Sequence, residues 1–501
     1  MSRARLLALV VALALLVVGS WFLGSRPASG PNVVLVVIDT LRADHLGAWG
    51  YDRPTSPELD RLAASGVRFS RFFSNSSWTR PSMAVVLTGH YGRTVGVYEE
   101  AYDVLPESAT TLAERLEGAG WVTLGVTSNP NINGWFQFDQ GFDAYVDSEV
   151  VFKFMPLEGG FQRFGAERQR LAPADRVTDQ ALALVDDHAD ALRGAPFYLQ
   201  VLYMDPHLPN DPPEVHVEAV GGGRGRLARY DGEVRFSDAE VGRLLRELDR
   251  RGHLKDALVV VTSDHGEGLR DHPELPLSST HGHHLYDSVL HVPLIVAQPG
   301  LDAGRVVDEL AASIDLVPTV LDLLGLPADP SLPGHSLAPL IEGSGPVPGL
   351  PDRIFAETEF RYTQKIAVRT EASKLILNED CAAFQRDGTH EGRKLGPRER
   401  EALLAVSPTE AYRMDGNPEG PSRDPDVPED AMQALAGSLE KWVGATPARE
   451  PERRDPNDVV THADGSVVPF GSQGAIPDLD PGVAEQLRAL GYLGGGDTDV
   501  P

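Results

Sequence analysis

Five short apolar runs recur along the chain: Asn32–Ile38, Trp121–Thr127, Pro196–Met204, Ala257–Thr262 and Val292–Ala297. They are rich in Val, Leu and Ile, with little polar alternation, the pattern of a strand buried on both faces. Between them lie stretches with apolar residues at helical spacing: Pro57–Ser65, Thr110–Ala119, Arg176–Leu192, Asp238–Arg251 and Ile314–Leu324. Strands alternating with helices predict an α/β fold, a mostly parallel sheet sandwiched by helices.

The pattern changes near Leu340–Asp352, where Pro and Gly become frequent. The main domain is therefore placed at 32–345. Short alternating strands over Arg353–Leu377 and a helix over Ala431–Val443 predict a smaller C-terminal α+β domain at 346–445. Thr446–Asp480 is rich in Pro, Asp and Gly and reads as a loose excursion. A short amphipathic segment, Gly482–Leu493, and a polar tail complete the 446–501 region.

At the other end, Arg3 and Arg5 precede an uncharged apolar run from Leu6 to Leu23. A basic flank followed by such a run is the mark of an export signal or a single membrane anchor, here residues 1–24, with 25–31 as linker. This reading puts the body on the periplasmic or extracellular face, with the membrane contacted through the N-terminal segment. A buried helix is the plainer alternative, but the run has no polar face.

Composition narrows the choice of partners. A chain of 501 residues with 42% hydrophobic content buries a large core. A formal net charge of -28 repels phosphate backbones and argues against nucleic acid. One cysteine, Cys381, excludes an intramolecular disulfide and a thiolate metal cluster.

In open α/β sheets, ligands bind beyond the carboxyl ends of the strands. Asp39 follows the first apolar run, Asp205-Pro206-His207 the third, and Ser263-Asp264-His265-Gly266-Glu267 the fourth. Any one of these aspartates has a turn or helix cap as its plainer reading, and a lone histidine a structural hydrogen bond. Taken together, two aspartates and a histidine at strand ends suit a hard or borderline divalent cation. Six histidines crowd between His265 and His291, more than scatter over the surface suggests. Thr79-Arg80-Pro81-Ser82 is an ordinary helix start. A hydroxyl at a helix N-terminus is also well placed to meet an anionic ester.

These segments together resemble the sulfatase family of the alkaline phosphatase superfamily. Asn32 to Gly47 looks like its opening strand and first metal ligand, and Ser77 to Gly89 like its nucleophile helix. Met204-Asp205-Pro206-His207-Leu208-Pro209 looks like its substrate histidine loop. Thr262 to Glu267 looks like its second metal motif, and His281-Gly282 through Val292-Pro293-Leu294 like its next active-site segment. The resemblance implies an alkaline phosphatase-like fold and hydrolysis, or transfer, of sulfuric or phosphoric esters. It makes Asp39, Asp264 and His265 ligands of one divalent metal, calcium by resemblance, with manganese, magnesium or zinc as alternatives. Thr79 falls at the nucleophile position. His207 and His281 would bind the substrate's oxygens or protonate the leaving group, and Arg80 is a candidate to bind substrate. The expected substrate is an anionic ester of a glycan, lipid or small molecule.

Three positions depart from the family pattern. Thr40 stands where many relatives carry a second acidic ligand, and Met83 where the family has an arginine. Thr79 replaces the Cys or Ser that sulfatases convert to formylglycine, and threonine cannot yield that aldehyde. Threonine nucleophiles in the wider superfamily serve phosphoryl chemistry, so the resemblance favours phosphoesters. The contrasting expectation is a sulfatase fold that binds an anionic glycan or lipid headgroup without turnover.

Overall fold

A computed structural model describes residues 30–98, 103–147, 173–208, 210–272, 280–360, 363–378, 406–414, 427–453, 459–461 and 467–469. The N-terminal segment 1–24, Cys381 and the segment Gly482–Leu493 lie outside the described residues. Among the described residues, no helix is long and apolar enough to cross a membrane.

The main domain is built on eight of ten strands: β1 (Val33–Ile38), β2 (Val67–Phe69), β3 (Phe72–Phe73), β4 (Val122–Thr127), β5 (Ala144–Val146), β6 (Phe197–Tyr203), β7 (Leu258–Thr262), β8 (Leu294–Ala297), β9 (Arg305–Val307) and β10 (Ala311–Ala312). The sheet order is β5-β4-β6-β1-β7-β8-β2-β9, with β10 and β3 as a separate pair. Pairing is parallel from β5 through β7; β8 runs antiparallel to both of its neighbours. All six residues of β1 are buried, as a central strand with helices on both faces requires.

Alternate β1 side chains feed two cores. Val33, Leu35 and Val37 pack with Met83, Val86, Leu87 and Val317 on one face. Val34, Val36 and Ile38 pack with Val177, Ala181, Val241 and Leu244 on the other. Removing these six side chains from water contributes on the order of 10 kcal/mol, which anchors whatever the strand carries at its end.

Helices cover both faces. The stretch Asp238–Arg251, expected as a helix, is the second half of a longer one, Arg226–Arg250. Its first half buries Asp231 and Glu233 beside Val234, so its inner face is polar and hides the apolar period. Asp231 is satisfied there by His45, Tyr51 and Arg53. The expected helix Arg176–Leu192 divides into Ala174–Asp187 and a short turn Ala189–Leu192.

The C-terminal domain is a four-stranded antiparallel sheet of β11 (Arg353–Phe360), β12 (Thr363–Thr370), β13 (Ser373–Asn378) and β14 (Thr409–Arg413). The helix Glu429–Ala445 packs on it through Met432, Leu435, Leu439 and Trp442. The same cluster takes in Phe73, Leu285, Tyr286 and Val289 from the main domain, so the two units share one apolar interface.

The stretch expected to be loose after Thr446 begins instead as a strap on the main domain. Arg449 N–H bonds the Arg93 carbonyl at 2.8 Å, and the Glu452 carbonyl accepts from Val104 N–H at 2.9 Å. Further on, Val459–Thr461 pairs antiparallel with Val467–Pro469. These contacts are made by backbone groups, which leave no apolar period in the sequence.

Candidate active site

Four neighbouring strands, β4, β6, β1 and β7, end on the same side of the sheet. Their ends deliver Asn129, His207, Asp39, and Asp264 with His265. Register explains the meeting: Val37 of β1 lies opposite Thr262 of β7, and two residues further along each strand come Asp39 and Asp264.

Asp39, Asp264 and His265 are fully buried, and one ligand atom from each lies within 4.8 Å of the others. Nε2 of His265 is 3.4 Å from Asp264 Oδ2 and 3.8 Å from Asp39 Oδ1. Both of these carboxylate oxygens are shielded from solvent and accept no hydrogen bond. Their partner oxygens are occupied: Asp264 Oδ1 by the N–H groups of Thr40 and His265, Asp39 Oδ2 by Asn129. Nδ1 of His265 lies 2.8 Å from the Gly266 carbonyl. That contact makes Nδ1 the protonated nitrogen and leaves the Nε2 lone pair facing the carboxylates.

Electrostatics point the same way. Burial, and then the charge of Asp264, hold the Asp39 carboxyl well above its ordinary range. Burial also raises Asp264, although His265 opposes it, and lowers His265 to about 4. Two crowded carboxylates and a neutral imidazole, with two oxygens left over, form a donor set that a divalent cation fits.

Thr40, at the position of a possible second acidic ligand, closes the turn instead. Its φ is 58°, unusual for a β-branched residue. Three bonds hold it: its N–H to Asp264, its hydroxyl to the Asp39 carbonyl at 2.7 Å, and its carbonyl from Tyr230 Oη at 2.7 Å. That backbone turn aims Asp39 inward.

Thr79 is the first residue of the helix Thr79–Thr88, and the residue before it, Trp78, makes no side-chain cap. The Thr79 hydroxyl is not spent on capping. Its Oγ1 lies 3.4 Å from His265 Nε2 and 3.3 Å from Asn129 Nδ2. Met83 is wholly buried in the core beneath this helix. The Arg80 guanidinium bonds Asn131 Oδ1 at 3.0 Å and lies 3.8 Å from the centre of the Phe136 ring.

His281 and His207 complete the pocket. The His281 ring centre is 4.6 Å from that of His265 and 4.9 Å from that of His207. Nδ1 of His281 lies 3.3 Å from Glu267 Oε1. His207 Nδ1 contacts the Leu208 carbonyl at 2.6 Å. Burial, then His281, lower His207 to about 4. Gly282, with φ 85°, follows His281, and a Cβ there would come within 2.6 Å of the Phe360 ring. Its N–H bonds the Ser77 carbonyl at 2.8 Å, and its carbonyl accepts from Thr358 Oγ1 at 2.8 Å. The His281 loop is thus tied both to the start of the Thr79 helix and to β11.

Of the six clustered histidines, only His265 and His281 enter this pocket. His272 and His284 pack on Tyr286, His283 meets Thr363 and Phe360, and His291 bonds the Ser70 carbonyl. Asn129 went unread in the sequence, although it follows β4 by two residues and the strand-end rule applied to the other runs reaches it. Arg226, whose Nη2 lies 3.6 Å from Glu267 Oε2, gave no comparable signal.

A profile described as Sulfatase matches residues 31–326, more than half of the chain and every residue just described except those of β11 and β12. The chain belongs to the sulfatase family. It is similar to arylsulfatase A of Homo sapiens, 27% identical over 523 residues, covering 91% of this chain and 94% of that protein. Mouse N-acetylgalactosamine-6-sulfatase is 28% identical over 386 residues, covering 68% of this chain and 70% of that protein. Two solved structures share the fold. A protein in complex with its substrate D-glucosamine-2-N,6-O-disulfate superposes with TM-score 0.65 at 18% identity, covering 85% of this chain and 100% of that one. A phosphonate monoester hydrolase from Silicibacter pomeroyi gives 0.61 at 20% identity, with 88% and 99% covered. This sulfatase-family chain is an ester hydrolase, and its pocket has a divalent-metal donor set.

Proposed function

We propose that the protein is a metal-dependent hydrolase or transferase in which Thr79 attacks an anionic ester, with phosphoric esters preferred to sulfuric ones. The observation that carries this reading is the Thr79 hydroxyl, held at 3.3–3.4 Å by Asn129 and His265 rather than by the helix it begins. A divalent cation bound by Asp39, Asp264 and His265, calcium by family likeness, would supply positive charge that draws in the anion and lowers the proton affinity of a nearby hydroxyl. The chain's own part is positional. Asn129 fixes the attacking oxygen, and His207 and His281 face the ester from the other side.

In the covalent step the Thr79 Oγ1–P bond forms as the ester P–O bond breaks. The threonine proton is lost to solvent, and the departing alkoxide takes a proton from His281, whose other ring nitrogen faces the Glu267 carboxylate at 3.3 Å, while neutral His207 contacts the ester oxygens. Attack by water, or by an acceptor alcohol, then forms a new P–O bond as the Oγ1–P bond breaks; the attacking group gives its proton back to the histidine, and Thr79 regains one from solvent, which completes hydrolysis or transfer. Sulfated glycans are the substrate class suggested by the named relatives, and phosphorylated glycans or lipids that suggested by Thr79.

Binding without turnover is the competing reading, favoured by Met83 lying in the core at the family's arginine position. One experiment separates the two: turnover of aryl phosphate and aryl sulfate in parallel, by the parent and by Thr79→Asn. Asparagine keeps polarity at the helix start but offers no comparable attacking oxygen. The catalytic reading expects phosphate turnover in the parent and its loss in a folded Thr79→Asn; substantial turnover in the variant sinks the nucleophile. Export follows from the basic flank and apolar run at residues 3–23. Cell fractionation checks it, and a full-length chain soluble in the cytoplasm counts against it.

A further inference from the structure

Glu267 is fully buried, and its two oxygens face different partners. Oε1 lies 3.3 Å from His281 Nδ1. Oε2 lies 3.6 Å from Arg226 Nη2, an ion-pair distance too long for a hydrogen bond. Arg226, Glu267, His281 and His265 therefore form a continuous chain, with the guanidinium at the end away from Asp39 and Asp264.

Arg226 is underused where it stands. Its Nε and Nη2 are shielded from solvent and donate no hydrogen bond, while the side chain as a whole remains 25% exposed. Buried guanidinium N–H groups without an acceptor carry an energetic cost, and their fixed fork suits carboxylate, sulfate or phosphate. Arg42, by contrast, closes hydrogen bonds with Asp44 and Asp271 at 2.7–2.9 Å.

The neighbourhood places this fork beside the leaving-group histidines. One turn along the same helix, Arg229 Nε bonds the Asn210 carbonyl at 3.0 Å. Glu233 Oε1 accepts from Asp211 N–H at 2.6 Å. The loop that carries His207 is thereby fastened to the helix that begins with Arg226. Burial and then His281 lower the proton affinity of His207, Glu267 opposes them, and the positive charge of Arg226 adds a smaller lowering effect.

We propose that Arg226 is a specificity subsite that holds a second anionic group, a carboxylate, sulfate or phosphate, on the alcohol portion of the ester. The inference rests on the reading of the Thr79 pocket as the reacting centre. It deepens that reading from anionic esters in general to esters of an alcohol that is itself anionic.

The test measures binding. Phenylphosphonate and 3-carboxyphenylphosphonate are titrated calorimetrically into the full chain equilibrated with calcium and, in parallel, with manganese. The parent should bind the carboxylated ligand about tenfold more tightly, equivalent to ~1.4 kcal/mol. Arg226→Gln should bring the ratio of the two affinities to about one, and Arg226→Lys, which lacks the fork, should restore only part of it. Comparing the two ligands on the parent alone keeps the test decisive if a variant fails to fold. Equal affinities in the parent, a preference that survives Arg226→Gln, or failure of both ligands to bind overturns the subsite. Failure of the parent to turn over aryl esters while the preference persists would count against the Thr79 mechanism and not against Arg226.

Discussion

Asn129 holds Thr79 from the end of a neighbouring strand: its Nδ2 lies 3.3 Å from Thr79 Oγ1 and donates as well to the Asp39 carboxylate. One amide thus sets the distance between the hydroxyl proposed to attack and a ligand of the proposed cation. Asn129→Ala removes both bonds, and also the one that Asn129 Oδ1 accepts from Asn131 N–H at 2.8 Å, while β4 and the start of the Thr79 helix stay in place. Hydrogen bonds to charged groups contribute roughly 1.5–3 kcal/mol, so turnover should fall by roughly 10- to 100-fold. Steady-state kinetics at matched metal content check this. A loss confined to KM, with kcat intact, would make Asn129 a binding residue only.

Asp39 and Asp264 oppose each other when no cation separates them, since burial and mutual repulsion both raise Asp39. Asp264→Asn removes one of the two charges. The chelator-treated variant should melt at a higher temperature than the chelator-treated parent, while its gain in Tm on adding a divalent cation shrinks. Metal analysis should show the variant retaining far less cation per chain. Equal metal content in the two proteins would show that Asp264 is not a ligand.

Acid should loosen the contact between the two domains. Burial raises the Asp287 carboxyl, but Lys374 at 3.0 Å and Arg369 at 3.1 Å more than offset this and hold it well below its ordinary range. The sign follows directly: a depressed folded-state value contributes stability that is present above the unfolded value of about 3.9 and is lost as the pH falls below it. Asp287→Asn should therefore cost roughly 3–5 kcal/mol at neutral pH and flatten the acid limb of stability, as measured by denaturant melts between neutral and acid pH. An unchanged acid limb would show that Asp287 is not the group that titrates.

The sheet was legible because its strands are buried on both faces, which writes them as unbroken apolar runs. Helix starts were harder. The first half of Arg226–Arg250 turns Asp231 and Glu233 inward, and polar burial has no period to detect. The strand-end rule found Asp39, His207, Asp264 and His265, since a buried strand fixes the position of the residue that follows it. It did not sort the clustered histidines, because His272 and His284 stack on Tyr286 through folding partners that local sequence does not reveal. Arg226 was hidden for a related reason. Its relevance depends on Glu267, which lies 41 positions away and meets it only in the folded chain.

The bracing of the His281 loop by β11 also sets an order of events during synthesis. Thr79, Asn129, Asp39, Asp264 and His265 have all been made by residue 265, so the proposed nucleophile and ligand set come from the first half or so of the chain. Thr358, which bonds the Gly282 carbonyl, comes 76 residues after that glycine. Phe360, which packs against Trp78, follows two residues later. A nascent chain can thus gather the proposed metal ligands while the loop bearing His281 still lacks the bond from Thr358.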